Sequence, residues 1–282
     1  MSLYIGLFPP VPKDTAYMAE TVFGNDNLYL TIGDQAERLL VGIDLAPLDP
    51  IGHQSTWTLT MCTLVTVLQF LENLPDHRAG AATRTRPDWK YALHLPAAYP
   101  GFDHRRLCEF RRHLWRQPAA RQTLQQVLNR LNQIMANRPD LTAHEVLSVV
   151  CAVSRLERLI EAVQLMLEAA AAAAPEWLRS IALPHWYERY DRLQTTHVLP
   201  RSSDEQARLA CAINTDAVYL LNALALAEHG STVLPEVQIV CQEWEQQFRQ
   251  SAQQVKWRGP ACASCDQVCG NTSPAARSRF AS

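Results

Sequence analysis

No stretch of this chain reads as apolar for long enough to cross a bilayer. The longest candidate, Ala162 to Ala174, is interrupted by Gln164 and Glu168 and stops at Pro175. The opening MSLYIGLFPPVPKD lacks a positively charged leader and a long apolar run, so it does not read as a secretory signal. The expectation is a cytoplasmic protein without a membrane partner, whose eight cysteines stay reduced. Charge is also sparse, at 19% of residues against 48% hydrophobic ones, which excludes a disordered polyelectrolyte and fits a folded chain with a substantial core.

What charge there is lies unevenly. From Asp76 to Arg116 there are nine Lys or Arg and four Asp or Glu, a balance of +5, in a chain whose total is −2. Just before this basic stretch, Leu59, Leu64, Val65, Val67, Leu68, Phe70 and Leu71 are apolar on nearly every side of a helix, which predicts a buried one. Asn73, Leu74 and Pro75 should stop it. Asp76 is placed to cap a helix carrying Arg78, Arg84 and Arg86, and Pro87 ends that helix. Asp88 can start a short helix with Trp89, Lys90, Tyr91 and Leu93. After a turn at Pro96, Pro100 and Gly101, Asp103 is placed to cap another helix. Its Leu107, Phe110 and Leu114 form one stripe, with Arg105, Arg106, Arg112 and Arg116 on or near the other side. Short helices with a basic face suggest helix-turn-helix-like contact with a nucleic-acid backbone; the competing interpretation is an ordinary solvated cationic face.

Three blocks carry a further signal: Val65 to Glu72 (VTVLQFLE), Asp88 to Leu93 (DWKYAL) and Phe102 to Leu114 (FDHRRLCEFRRHL). In this order and at this spacing they resemble the N-terminal domain of bacterial insertion-sequence DDE transposases, in the subgroup with an InsH-type N-terminus. The similarity covers residues 15 to 258. It implies binding to the terminal inverted repeats of a mobile element. Arg78, Arg84, Arg86, Lys90, Arg105, Arg106, Arg111 and Arg112 would then be the DNA-binding residues. Arg111, next to the core stripe, has Glu109 or an internal carboxylate as an alternative partner.

In that family three carboxylates hold two divalent metal ions, Mg²⁺ in the intact enzymes, on an RNase H-like sheet. The family places its first aspartate some fifteen residues before the glutamate of an RLE-like triplet, here Arg155, Leu156 and Glu157. Counting back lands on Thr142, with Asp140 two residues out of register. Asp140 is therefore a displaced catalytic candidate whose alternative is a loop residue, and His144 is either a remnant of the motif or a surface histidine. The family's other two carboxylates come later than the matched part. The resemblance thus implies a catalytically incomplete chain with no cofactor or metal of its own. Two alternatives stay open: an active transposase completed by a downstream frame, and a helical protein that pairs with intact transposase subunits or with itself.

The expected fold is mainly α with little β. A loosely attached extended N-terminus occupies 1–14, a helical DNA-binding domain 15–118, a helical region derived from the insert of the RNase H-like core 119–258, and a disordered cysteine-containing tail 259–282. The segment Leu28 to Ile43 is ambiguous: LYLTI alternates like a strand and AERLLVGI reads as helix. Thr142 and Glu145 form a capping box that opens a long helix to about Ala174. Pro175 starts a short helix, Ser203 and Asp204 open another, and Pro235 precedes a last one with Val237, Val240, Cys241, Trp244 and Phe248 facing inward. His185, Trp186, Tyr187 and Tyr190 are an aromatic cluster, read as core rather than as a base-stacking platform. Cys62, Cys108, Cys151, Cys211 and Cys241 read as small core residues. Cys262, Cys265 and Cys269 have a spacing able to hold zinc or an iron–sulfur cluster but lack a fourth ligand, and the tail is read as unselected.

Overall fold

The computed structural model describes residues 8–24, 27–52, 54–135, 139–191, 199–226, 234–250 and 255–259. They are mainly α. The first part holds α1 (Lys13–Phe23), α2 (Leu28–Asp34), α3 (Ala36–Leu40), a 3-10 turn (Ala46–Leu48), α4 (Thr56–Glu72), α5 (Asp76–Thr85), α6 (Pro87–Ala92), α7 (Arg105–Arg116) and α8 (Pro118–Ile134). The long α9 (Ala143–Ala173) follows, then α10 (Pro175–Ile181), α11 (Pro184–Tyr190), α12 (Ser203–Leu226) and α13 (Leu234–Gln247). A single antiparallel pair, β1 (Phe248–Gln250) with β2 (Val255–Trp257), closes the described chain, with Phe248 opposite Trp257.

Helix α4 is the central post of the first core. Every residue from Leu59 to Phe70 is buried. Two of its buried threonines, Thr63 and Thr66, donate their hydroxyls to the carbonyls of Leu59 and Cys62, four residues back. Ser55 caps its start, accepting from Thr58 N–H. Asn73 ends it in the left-handed region, at φ 58°. Proline occupies the first turn of α6, α8, α10 and α11, where no N–H is needed.

Helix α9 is about 46 Å long at 1.5 Å per residue. Thr142 caps it, accepting from Glu145 N–H at 3.2 Å. Its Val146, Leu147 and Val150 lie in the first core; its Val153, Leu156, Leu159, Val163 and Met166 lie in a second, shared with α11, α12, α13 and the β pair. Val149 packs against both. The first core therefore runs past Pro118 to Val150, taking in all of α8, and the change from one core to the other falls inside a continuous helix.

Several expectations are corrected. The ambiguous segment at 28–43 is two helices. Asn27 accepts from the N–H groups of Tyr29 and Leu30, and this cap starts α2. The N-terminus is not loosely attached as far as it is described: Phe8 is 1% exposed and packs 4.9 Å from His94, whose Nδ1 lies 2.6 Å from Pro9 O. Cys211 is exposed and Cys108, Cys151 and Cys241 are half-buried; only Cys62 is buried among these five. Tyr187 and His185 are exposed, so only Trp186 and Tyr190 of the aromatic cluster are core. Phe248 faces inward from a strand, not from the last helix. Helix α12 is long and apolar enough to cross a membrane by length and composition, which the sequence reading passed over. It packs Ala210, Ile213, Ala217, Leu220 and Leu224 into the second core, and a third of its apolar window is buried. Cys262, Cys265 and Cys269 lie outside the described residues.

Candidate nucleic-acid interface

The basic stretch divides into charges spent inside the fold and charges left at its surface. Three of the eight predicted DNA-binding residues belong to the first group. Arg111 is 3% exposed; its Nη2 meets Asp76 Oδ2 at 2.5 Å and its Nη1 meets Gln69 Oε1 at 3.4 Å. Burial works against its charge, but Asp76 beside it holds the guanidinium protonated. For Asp76 the same burial would raise the carboxyl, and Arg111 overrides it, so the carboxyl sits below the usual range. Lys90 is 6% exposed and donates to Ala97 O, tying α6 to the turn that follows it. Arg86 is bracketed by Glu72 and Asp88 and lies over the rings of Tyr29 and Trp89, at 5.5 and 5.7 Å. Its charge clamps α4 to α6. Arg111 and Lys90 are thus buried in structural contacts, and the half-buried Arg86 is engaged by two carboxylates.

The other five stay outward. Arg84, Arg105 and Arg106 are exposed, and Arg78 and Arg112 are half-buried. With the exposed Arg116, six arginines stand at or near this surface, where Asp103 and Glu109 lie beside them and Glu157 and Glu161 of α9 face Arg105 and Arg112 across the cavity.

Two close approaches bring α5 against the start of α7. A Cβ on Gly80 would lie 3.0 Å from Phe102 O, so glycine here eases the close approach of the loop to α5. Gly101, at φ 110°, turns the chain beside Arg84 Cβ. The rings of His77 on α5 and His104 before α7 then meet edge to face at 5.7 Å. These two histidines line both neighbouring concavities. One is bounded by Arg84, Pro100 and Phe102, the other by Arg105, Arg112 and residues of α9. Arg84 therefore borders one concavity and Arg105 and Arg112 the other, with the two histidines common to both. Asp103 Oδ1 accepts Arg105 N–H at 3.0 Å, capping α7 one residue further out than the helix boundary suggests.

Asp140 is exposed, in the segment before α9. Among the described residues no group of three His, Cys, Asp or Glu side chains is arranged to hold a metal ion. Of the RLE-like triplet, Arg155 and Leu156 are buried; Arg155 Nε donates to Gln247 Oε1 at 3.4 Å, tying α9 to the end of α13. Glu157 lies in the cavity wall beside Asp76 and Glu161, its carboxyl pushed up to about 8 by burial first and by those two acids next. His144 is exposed and stands 5.9 Å from the Trp115 ring.

No protein-family model, curated protein or solved structure matches this chain.

Proposed function

We propose that the chain binds the backbone of double-stranded DNA through the outward arginines of α5 and α7. The resemblance of its first half to insertion-sequence transposases makes terminal inverted repeats the intended target. The observation that carries this reading is the sorting of the arginines. Arg111 is neutralised inside and Arg86 is bracketed by two acids, while Arg84, Arg105 and Arg112 stand at two adjoining concavities without an ion-pair partner among the described residues. A patch of this kind attracts phosphates at long range and is screened by salt. On the same reading the protein is a catalytically incomplete member of the family, which in its intact form uses Mg²⁺, and Asp140 has no catalytic role.

Salt dependence tests it. If Arg78, Arg84, Arg105, Arg106 and Arg112 each neutralise one phosphate, log K should fall with log salt at a slope of about −4.5. Affinity for an inverted-repeat duplex would drop several hundredfold between about 50 and 200 mM salt. Changing Arg84 or Arg105 to alanine should each reduce that slope by about 1. A flat salt response in gel-shift titrations would remove the proposal.

A further inference from the structure

The cavity enclosed by α5, α7 and α9 has features that a flat DNA-binding face does not need. It holds about 380 Å³, near the lower end of the range for small-molecule sites. Its walls combine the half-buried ring of Trp115 and the thiols of Cys108 and Cys151 with several guanidinium groups. The Nε atoms of Arg111 and Arg112 are both buried without a hydrogen-bond partner among the described residues. Leaving a buried charged donor unsatisfied is costly, and at Arg112 no internal carboxylate is close enough to form an ion pair. Apart from the Arg111–Asp76 pair, the lining offers Arg105, Arg112, Arg155 and Arg158 against Glu109, Glu157 and Glu161.

We infer that this cavity binds a phosphate monoester carried on a flat ring, a ligand the size of a mononucleotide, with Arg105, Arg112 and Arg158 on the phosphate and Trp115 against the ring. Guanidinium groups suit phosphate because their fixed N–H forks match its oxygens. Trp115 supplies an apolar face that inorganic phosphate alone would not use. Glu157 sets the charge of the site. Facing it are Glu161 and Arg158 on its own helix, Asp76, Arg78 and the His77 N–H on α5, and His104, Arg105, Glu109 and Arg112 across the cavity. With its carboxyl raised to about 8, Glu157 is neutral at physiological pH and the cavity keeps its cationic excess; above that value a further negative charge opposes the ligand. The inference shares Arg105 and Arg112 with the proposed DNA surface but does not require DNA binding, since its ligand lies within the cavity.

Calorimetric titration of the full chain with adenosine monophosphate at neutral pH and low salt tests it, with inorganic phosphate and adenosine as controls. The nucleotide should bind more tightly than either control. Trp115→Ala should weaken it about tenfold, the loss expected for one stacked ring. Arg112→Gln should weaken it about tenfold, as for one charge-assisted contact. Raising the pH past the Glu157 value should weaken binding to the parent and not to Glu157→Gln, a signature that general loss of structure would not produce. Absence of binding, equal binding of nucleotide and inorganic phosphate, or indifference to Arg112→Gln would overturn the inference. Gel shifts with an inverted-repeat duplex on the same samples separate the two ideas: duplex binding without nucleotide binding sinks the cavity alone, and the reverse sinks the DNA reading alone.

Discussion

Replacing Arg111 with methionine asks whether the arginines of the basic stretch fall into two classes. Methionine keeps most of the volume and the apolar stem while removing the charge. Arg111 is 3% exposed and Asp76 is held against it at 2.5 Å, so the substitution leaves a buried carboxylate with neutral donors, Gln69 Nε2 at 2.9 Å among them, and no cation beside it. Breaking one side of such a buried pair costs about 3–5 kcal/mol. An exposed arginine such as Arg105 contributes within about 0.5 kcal/mol. For a core of this size the Arg111→Met loss corresponds to a fall in melting temperature of roughly 6–20 °C.

The pH dependence has a definite sign. The Asp76 carboxyl is depressed in the folded parent, so its stabilising contribution is present above its unfolded value of 3.8 and is lost as pH falls through the lower folded value. In Arg111→Met only burial and neutral hydrogen bonds act on it, the carboxyl rises, and protonation relieves the penalty. The gap between parent and variant should therefore narrow on acidification. Urea denaturation followed by circular dichroism measures both quantities. A loss below about 1 kcal/mol, the value of an exposed ion pair, would refute the reasoning, as would a gap that does not change with pH. Under conditions where both proteins are folded, Arg111→Met should keep the parent's salt slope for DNA, while Arg105→Ala should lower that slope and leave stability alone.

Two further outcomes follow from the packing. A Cβ on Gly33 would lie 2.7 Å from Tyr91 Cδ1 and 2.9 Å from Tyr91 O, so Gly33→Ala must push α2 off α6; chemical denaturation should show a loss of about 1–3 kcal/mol. Glu157 is held protonated up to about 8 when folded, against 4.5 for an ordinary glutamate, so the folded state retains a proton that the unfolded chain releases in that window. Stability should fall as pH rises through it, and Glu157→Gln should flatten that slope in urea midpoints measured across the window.

Local signals made much of the fold legible. The all-round apolar pattern of α4, the Thr142 cap and the prolines at 87, 118 and 175 act within a few residues of where they stand, and each marks an element close to its observed boundary. Asn27 was a signal of the same kind. A capping residue directly before LYLTI favours a helix over the strand that the alternation suggested, because two backbone N–H groups find their acceptor at once. The chain boundary at Pro118 was a weaker guide. A proline at the first position of a helix starts that helix without separating cores, and α8 packs with what precedes it.

The destination of each arginine was not legible, because it depends on contacts distant in sequence. Arg84 and Arg86 stand two residues apart at the end of one helix. Arg86 is turned inward by Glu72, fourteen residues earlier, and by Asp88 beyond the proline, while Arg84 has Gly101 beside its stem and faces outward. Arg111 and Asp76 are thirty-five residues apart and meet only because α5 and α7 pack against each other and both against α4. Periodicity places a residue on a helix face but does not tell whether an acid waits opposite. The division also has a physical order. The inward charges hold α4, α5, α6 and α7 in fixed relation, since each is matched by a specific carboxylate or carbonyl whose desolvation has already been met in folding. Only with those helices held can Arg84, Arg105 and Arg112 keep the spacing that the proposed phosphate contacts require. Loss of an inward arginine should therefore weaken DNA binding only through unfolding, with the salt slope of the remaining folded molecules unchanged.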